Sequence, residues 1–458
     1  MSNILRKVNS LVSWETINIE LWLLIGILVT TFIPIRYLFP TSDSYILGYF
    51  SDFTSISLYI SQLFIIGYIF YTLVTYFRKT GEFLLLKPLL LSVLLLGLYQ
   101  IIVDPSFRLI SGIFYVKLAI SGGFIYCLIN SDIWLKYRLF LIKCFISLGF
   151  ISVIIGFIQF SLQYSIGLNI LGESPISILT YGVAKIVAHG TTFVRIYGFM
   201  PHPNILAGLL VILSLLNLYL LNKELSISSR GIYIFTYCVN SLGIFLCFSR
   251  GGVIAYTVST AIFLILTVME QGIQAIFRKL YFVPILLIVL VFIFYPWYQS
   301  KSTISDQSSL LRSEYNLAGL KIIKSNWLIG TGPGTNLLHM KQELQSNLNY
   351  WDIQPIHNYF LIVISEFGVI GISWIMFLIY LSLRLAKQTY TNLKQNKSNT
   401  WHIALLSITI AIFILMQIDH YFYTNWSAQV ILYLVIAWIY RETQSKIGES
   451  QNNVSRET

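Results

Sequence analysis

The stretch Arg195–Ile212, RIYGFMPHPNILAGLLVI, changes character at its midpoint. Its first half holds a guanidinium, aromatics, two prolines and Asn204, while its second half opens an apolar run that extends from 204 to 221. A bilayer core about 30 Å thick takes roughly 20 apolar helical residues, so the run reads as a membrane span with an arginine held at its mouth. The rest of the chain agrees. Of 458 residues 56% are hydrophobic and only 11% charged, with a mean hydropathy of +0.73. No soluble domain of this length hides so much apolar surface, and the fold class expected is all-α, a polytopic membrane protein. The net charge of +11 would suggest nucleic acid in a soluble chain. Here its distribution matters instead, and no nucleic-acid partner is expected.

Apolar runs near 19–39, 56–77, 84–103, 109–130, 137–161, 204–221, 231–248, 252–269, 280–298, 357–383, 402–418 and 424–440 predict about twelve spans. The first is long enough to be a retained helix rather than a cleaved leader. Pro34 and Pro88 mark places where a helix can kink. With the N-terminus inside, the inner segments collect Arg6, Lys7, Arg78, Lys79, Lys87, Lys136, Arg138, Lys143, Lys223, Arg230, Arg278 and Lys279. Later inner segments add Arg384, Lys387, Lys394, Lys397, Arg441, Lys446 and Arg456. The short outer loops hold only Arg108, with Arg36 ending the first span. This bias puts both termini in the cytoplasm. The organisation expected is residues 1–203 (about five spans and a first long outer loop), 204–440 (the remaining spans, with a partly helical outer loop at 299–356) and a polar tail at 441–458. The 299–356 loop carries Tyr315, Trp327, Tyr350 and Trp351, too aromatic for a solvated linker. Cys127, Cys144, Cys238 and Cys247 sit singly in apolar runs and read as packing residues.

This threading brings several polar residues to one face: Arg195; Arg250 in FSRGGVIA; Arg312 in the long loop; His357, which opens HNYFLIVISEFGVIGISWI; and Asp419 with His420 in QIDHYFYTNW. Each has a plainer reading. An arginine at a helix end can snorkel to lipid phosphate, His357 can cap a helix and Asp419 can be an N-cap. Glu366, inside an apolar run, is costly to bury as an ion and has either a structural or a functional role. In LIGTGPGTN, Gly330, Gly332 and Gly334 alternate, so backbone amides there could form an anion-binding nest. Guanidinium groups match phosphate oxygens in pairs and stay charged, so they can hold a diphosphate without a metal. Metal-ligand spacing is absent from the sequence, and neither a metal nor another cofactor is expected. A neighbouring imidazole can take a proton from a hydroxyl.

RIYGFMPHPNILAGLL, FSRGG, LRSEYNLAGLKIIKSNWLIGTGPGTN and HNYFLIVISEFGVIGISWIMF resemble, in order and spacing, the O-antigen ligase and O-antigen polymerase family. The resemblance covers roughly 190–385, and Asp419 extends it; the five N-terminal spans match only in hydropathy. It implies a metal-independent, inverting glycosyltransferase that takes a glycan from undecaprenyl diphosphate at the outer face of the membrane. Arg195, Arg250 and Arg312 would grip the diphosphate and stabilise its departure. His357 would be the base or orient the acceptor, a glycan or lipid-linked hydroxyl. Asn204, Gly332, Asn358 and Asp419 would support the site. A flippase and a chain-length regulator are the partners such an enzyme implies. Ligase and polymerase use the same donor and remain undivided, with a slight lean to polymerase. A multi-span transporter, for instance one linked to bicarbonate, is the competing class, and a scaffold or flippase partner is a third. Transporters place ionisable groups near the midplane, whereas here most charges sit at the outer rim, apart from Glu366 and Lys117.

Overall fold

The computed structural model describes residues 18–80 and 108–454, apart from 47, 189, 224–225, 345–352 and 398. The expected span 84–103 with Pro88, the basic pair Arg6 and Lys7, the loop aromatics Tyr350 and Trp351 and the tail's Arg456 lie outside the described residues. The described chain is largely helical. Its main helices are α1 (Ile19–Phe32), α2 (Ile60–Thr80), α3 (Arg108–Asn130), α4 (Ile133–Leu162), α5 (Pro203–Asn222), α6 (Ile227–Leu246) and α7 (Arg250–Gln271). They continue with α8 (Phe282–Asn326), α9 (Asn336–Glu343), α10 (Tyr359–Phe367), α11 (Val369–Lys394), α12 (Thr400–Ile418), the short α13 (Tyr421–Thr424) and α14 (Trp426–Val454).

Among the described residues seven helices are long and apolar enough to cross a membrane: Leu109–Asn130 of α3, α4, α5, α7, Phe282–Gln299 of α8, α11 and α12. Ile19–Phe32 and Ile60–Thr75 are shorter apolar helices. Helices α6 and α14 fall on two further expected runs, but the described residues do not reproduce the count of about twelve. The apolar part of α8 argues for lipid around the bundle: Ile288 is 69% and Phe292 81% exposed, and no water-facing helix carries such a face. Helix α5 is the opposite case. Nearly all its side chains are buried, as expected of a helix apolar on every side, and it packs against α4, α6, α7 and α12. Pro203 at its first turn and the His202 imidazole, which accepts from Asn204 N at 3.1 Å, define its start.

Two expectations change. The run 357–383 is not one helix. It breaks between α10 and α11 at Gly368 (φ 54°), where a side chain would lie 2.5 Å from the Leu328 carbonyl oxygen, a conformation and a space only glycine tolerates. The loop after residue 298 begins as a continuation of its span, because α8 runs unbroken for 45 residues and carries Arg312 and Tyr315. The all-α class holds except in the connections, where three two-stranded antiparallel ladders occur among the described residues. They pair β1 (Arg36–Phe39) with β4 (Ile56–Tyr59), β2 (Tyr45–Ile46) with β3 (Tyr49–Phe50), and β5 (Lys185–Ala188) with β6 (Thr191–Val194).

The segment from 163 to 202 is folded onto α4. Gln159 donates to Gly198 O at 2.9 Å and accepts from Gly198 N at 2.9 Å, and it also donates to Glu173 at 2.9 Å. Glu173 in turn accepts from the amides of Ile166 and Leu168. Buried polar groups paired this completely hold the β5–β6 hairpin in one place. At the far end of the bundle sit the ion pairs Arg138–Glu442 (3.3 Å) and Arg441–Asp132 (2.8 Å).

Candidate active site

The starts of α5 and α7, the end of α12 and the second half of α8 meet around a cavity of about 670 Å³. Lys185, Arg195, His202, Asn204, Arg250, Arg312 and Asp419 line it. Four cationic side chains thus face one carboxylate. Arg250 is the first residue of α7, and Ser249 caps that helix by accepting from Gly252 N at 3.2 Å. Its SRGG stretch therefore also turns a helix N-terminus, with its partial positive charge, toward the cavity. Arg250 is exposed; Arg195 is buried at 6% exposure.

Arg195 is held from two sides. Its Nε donates to the Cys247 carbonyl at 2.5 Å and its Nη2 to Asn204 Oδ1 at 2.8 Å. Asn204 passes the contact on, donating from Nδ2 to Asp419 Oδ2 at 2.9 Å. Burial, with Arg312 nearby, lowers the Arg195 pKa, yet a guanidinium remains charged at any physiological pH. Asp419 also accepts from His420 N at 2.8 Å. Burial opposes its ionisation, but His420, His357 and Arg312 hold it below the usual carboxylate range.

His357 lines an adjoining cavity of about 400 Å³, which shares His202, Asn204, Arg312, Asp419 and Tyr421 with the first. Its ring stacks on Tyr315 at 5.4 Å and meets His420 edge-on at 4.8 Å. His357 Nδ1 lies 3.0 Å from the Pro355 carbonyl. A carbonyl only accepts, so Nδ1 carries the proton and Nε2 the lone pair. Burial pushes the imidazoles of His357 and His202 down to about 3, so both are neutral bases at pH 7. His357, Asp419 and His420 offer ligand atoms within 4.8 Å of one another. That spacing could hold a cation, which the repulsion from Arg312 would oppose.

Two candidates sit elsewhere. Asn358 caps α10, accepting from Phe360 N and Leu361 N, and donates to Gln417. Gly332 does not line the arginine cavity. Its loop wraps the buried carboxylate of Glu366, which accepts from Gly334 N (2.7 Å), Asn336 N (2.8 Å) and the Tyr423 hydroxyl. The expected anion nest is real in form, but its anion is the protein's own. Asn336 then accepts from Ile356 N at 3.3 Å, next to His357. Glu366→Gln should leave at least one of these donors facing an amide. The expected loss is about 1–3 kcal/mol of stability, seen as a lower thermal midpoint in detergent; an unchanged midpoint would show that the carboxylate anchors nothing.

His202, Lys185, Tyr421 and the hairpin residues Arg36, Asp52 and Phe53 line these cavities without having been singled out as site residues. For His202 the signal was present, since PHPN places an imidazole at a helix cap beside Arg195. The hairpin residues carry no such signal. No protein with a curated description matches the chain. Residues 234–378, which contain Arg250, Arg312, Gly332, His357 and Asn358, match the family model described as O-antigen ligase.

Proposed function

We propose that the protein is a glycosyltransferase that moves a glycan from undecaprenyl diphosphate to a sugar hydroxyl at the outer face of the bacterial inner membrane, as an O-antigen ligase or polymerase. The observation that carries this reading is the gathering of Lys185, Arg195, Arg250 and Arg312 on one cavity. That excess of cations, three of them buried or half-buried, calls for a polyanionic ligand, and guanidinium pairs suit a diphosphate. The ion pairs Arg138–Glu442 and Arg441–Asp132 lie at the other end of the bundle, which the positive-inside bias assigns to the cytoplasm.

In this reading the acceptor hydroxyl attacks the anomeric carbon while His357 Nε2 takes its proton. The bond from that carbon to the diphosphate oxygen breaks, and the electron pair leaves on undecaprenyl diphosphate, where the arginines meet the developing charge. A single displacement inverts the anomeric configuration. Asp419, facing His357 and His420, stabilises the imidazolium that forms.

Purified protein given a lipid-diphosphate oligosaccharide is expected to release undecaprenyl diphosphate. Arg250→Ala should lower that rate by about 10²–10³-fold. Arg250→Lys should also impair it, because an ammonium cannot fork onto two oxygens. Chelation with EDTA should leave the rate unchanged. No release by the wild-type protein would sink the assignment, and loss on chelation restored by zinc would instead make His357, Asp419 and His420 a metal site.

A further inference from the structure

The smaller cavity is chemically unlike its neighbour. Its far wall comes from the hairpin that joins α1 to α2, a part of the chain outside the family match. There Arg36 pairs with Asp52 and donates to the Tyr59 hydroxyl at 3.2 Å, with its guanidinium 5.8 Å from the centre of the Tyr59 ring. Phe53 meets His420 edge-on at 5.6 Å, and Tyr315 stacks against His357 across the same space. The charges balance: Arg36 is matched by Asp52, and Arg312 by Asp419. A neutral cavity of about 400 Å³ with carboxylate and amide groups between aromatic faces fits a hydroxyl-rich, uncharged ring. With Arg36 already matched by Asp52 the far wall offers a phosphate no surplus positive charge, and aromatic surfaces pack on the C–H face of a sugar. The cavity ends at His357, the group proposed to take the acceptor's proton.

We infer that this chamber binds the acceptor, and that the acceptor presents a neutral sugar, held by Asp52, Phe53 and Tyr315, with its hydroxyl directed to His357. The inference rests on the proposed transferase reading and deepens it: the donor's diphosphate occupies the cationic cavity, the acceptor's sugar the neutral one, and His202, Asn204 and Asp419 form the partition between them. The N-terminal hairpin is then the part of the chain that selects the acceptor.

The test uses the full-length protein in nanodiscs, with the undecaprenyl-diphosphate glycan as donor and the same glycan, released from its lipid, as acceptor. Phe53→Ala and Asp52→Asn are each expected to raise the acceptor KM about tenfold, with undecaprenyl diphosphate affinity unchanged. Phe53→Tyr should restore the acceptor KM, and a glycan carrying a phosphate monoester on its terminal sugar should be a poorer acceptor. An unchanged acceptor KM in both variants overturns the inference, as does equal use of the phosphorylated glycan. Undecaprenyl diphosphate binding that is lost in Arg250→Ala separates this failure from a failure of the transferase reading.

Discussion

Alanine in place of Arg195 is expected to slow undecaprenyl diphosphate release by at least about a hundredfold and to destabilise the protein as well. The two effects share one cause. Arg195 is buried and spends its donors on the Cys247 carbonyl and on Asn204, so truncation removes a cation from the larger cavity and leaves those acceptors unpaired. An unsatisfied buried group costs about 1–3 kcal/mol. Asn204 would also be free to turn away from Asp419, loosening the wall beside His357. Arg250, exposed at the start of α7, has no such structural burden, so its alanine variant should lose activity with little change in thermal midpoint. Initial rates and melting curves on the two variants make the comparison. An Arg195→Ala protein that melts and reacts like wild type would remove the buried guanidinium from the mechanism.

Loss of His357 is expected to cost about 10²–10⁴-fold in kcat, the range of a single acid–base group. The pH dependence carries more information than the loss. With its pKa held at about 3 by burial, first, and by the neighbouring His420 and Arg312, His357 stays a neutral base throughout mild acid. The kcat/KM of folded protein should therefore be flat from neutral pH to well below the ordinary imidazole value of 6.5. Stability should behave differently. Between 6.5 and about 3 the unfolded chain binds protons at His357 and His202 that the folded chain does not. Their contribution to stability is therefore complete above pH 6.5 and is lost as pH falls through that window. Thermal midpoints should decline below pH 6.5 while the specific rate holds, and His357→Gln should blunt the decline. A rate that drops with an apparent pKa near 6.5 would show an imidazole open to water.

Hydropathy made most of the architecture legible. The apolar runs at 204–221 and 402–418 fall on α5 and α12, and the polar residues that flank them line one cavity, with Asn204 and Asp419 in contact although 215 positions apart. Hydropathy is blind to backbone angles, which is why the break at Gly368 was hidden inside a continuous apolar run. It is equally blind to which anion a glycine loop encloses. Gly332 follows a pattern that suits phosphate, but Glu366, in a helix packed beside that loop, was near enough to take the amides first. For Arg36, Asp52 and Phe53 the sequence carries no sign of a place in a site, for another reason. They lie in a connection of mixed polar and aromatic residues between α1 and α2, and only the packing of the hairpin against His420 gives them a role.

Because Glu366 already fills the nest at 332–336, the molecule has two receptors for negative charge and has satisfied one from within. In the proposed reading an incoming pyrophosphate ester is left with the cavity that Arg195, Arg250 and Arg312 line. With the amides of Gly334 and Asn336 taken by Glu366, the glycine loop offers no decoy berth, and the proposed lipid carrier would be steered to the side where the imidazoles stand.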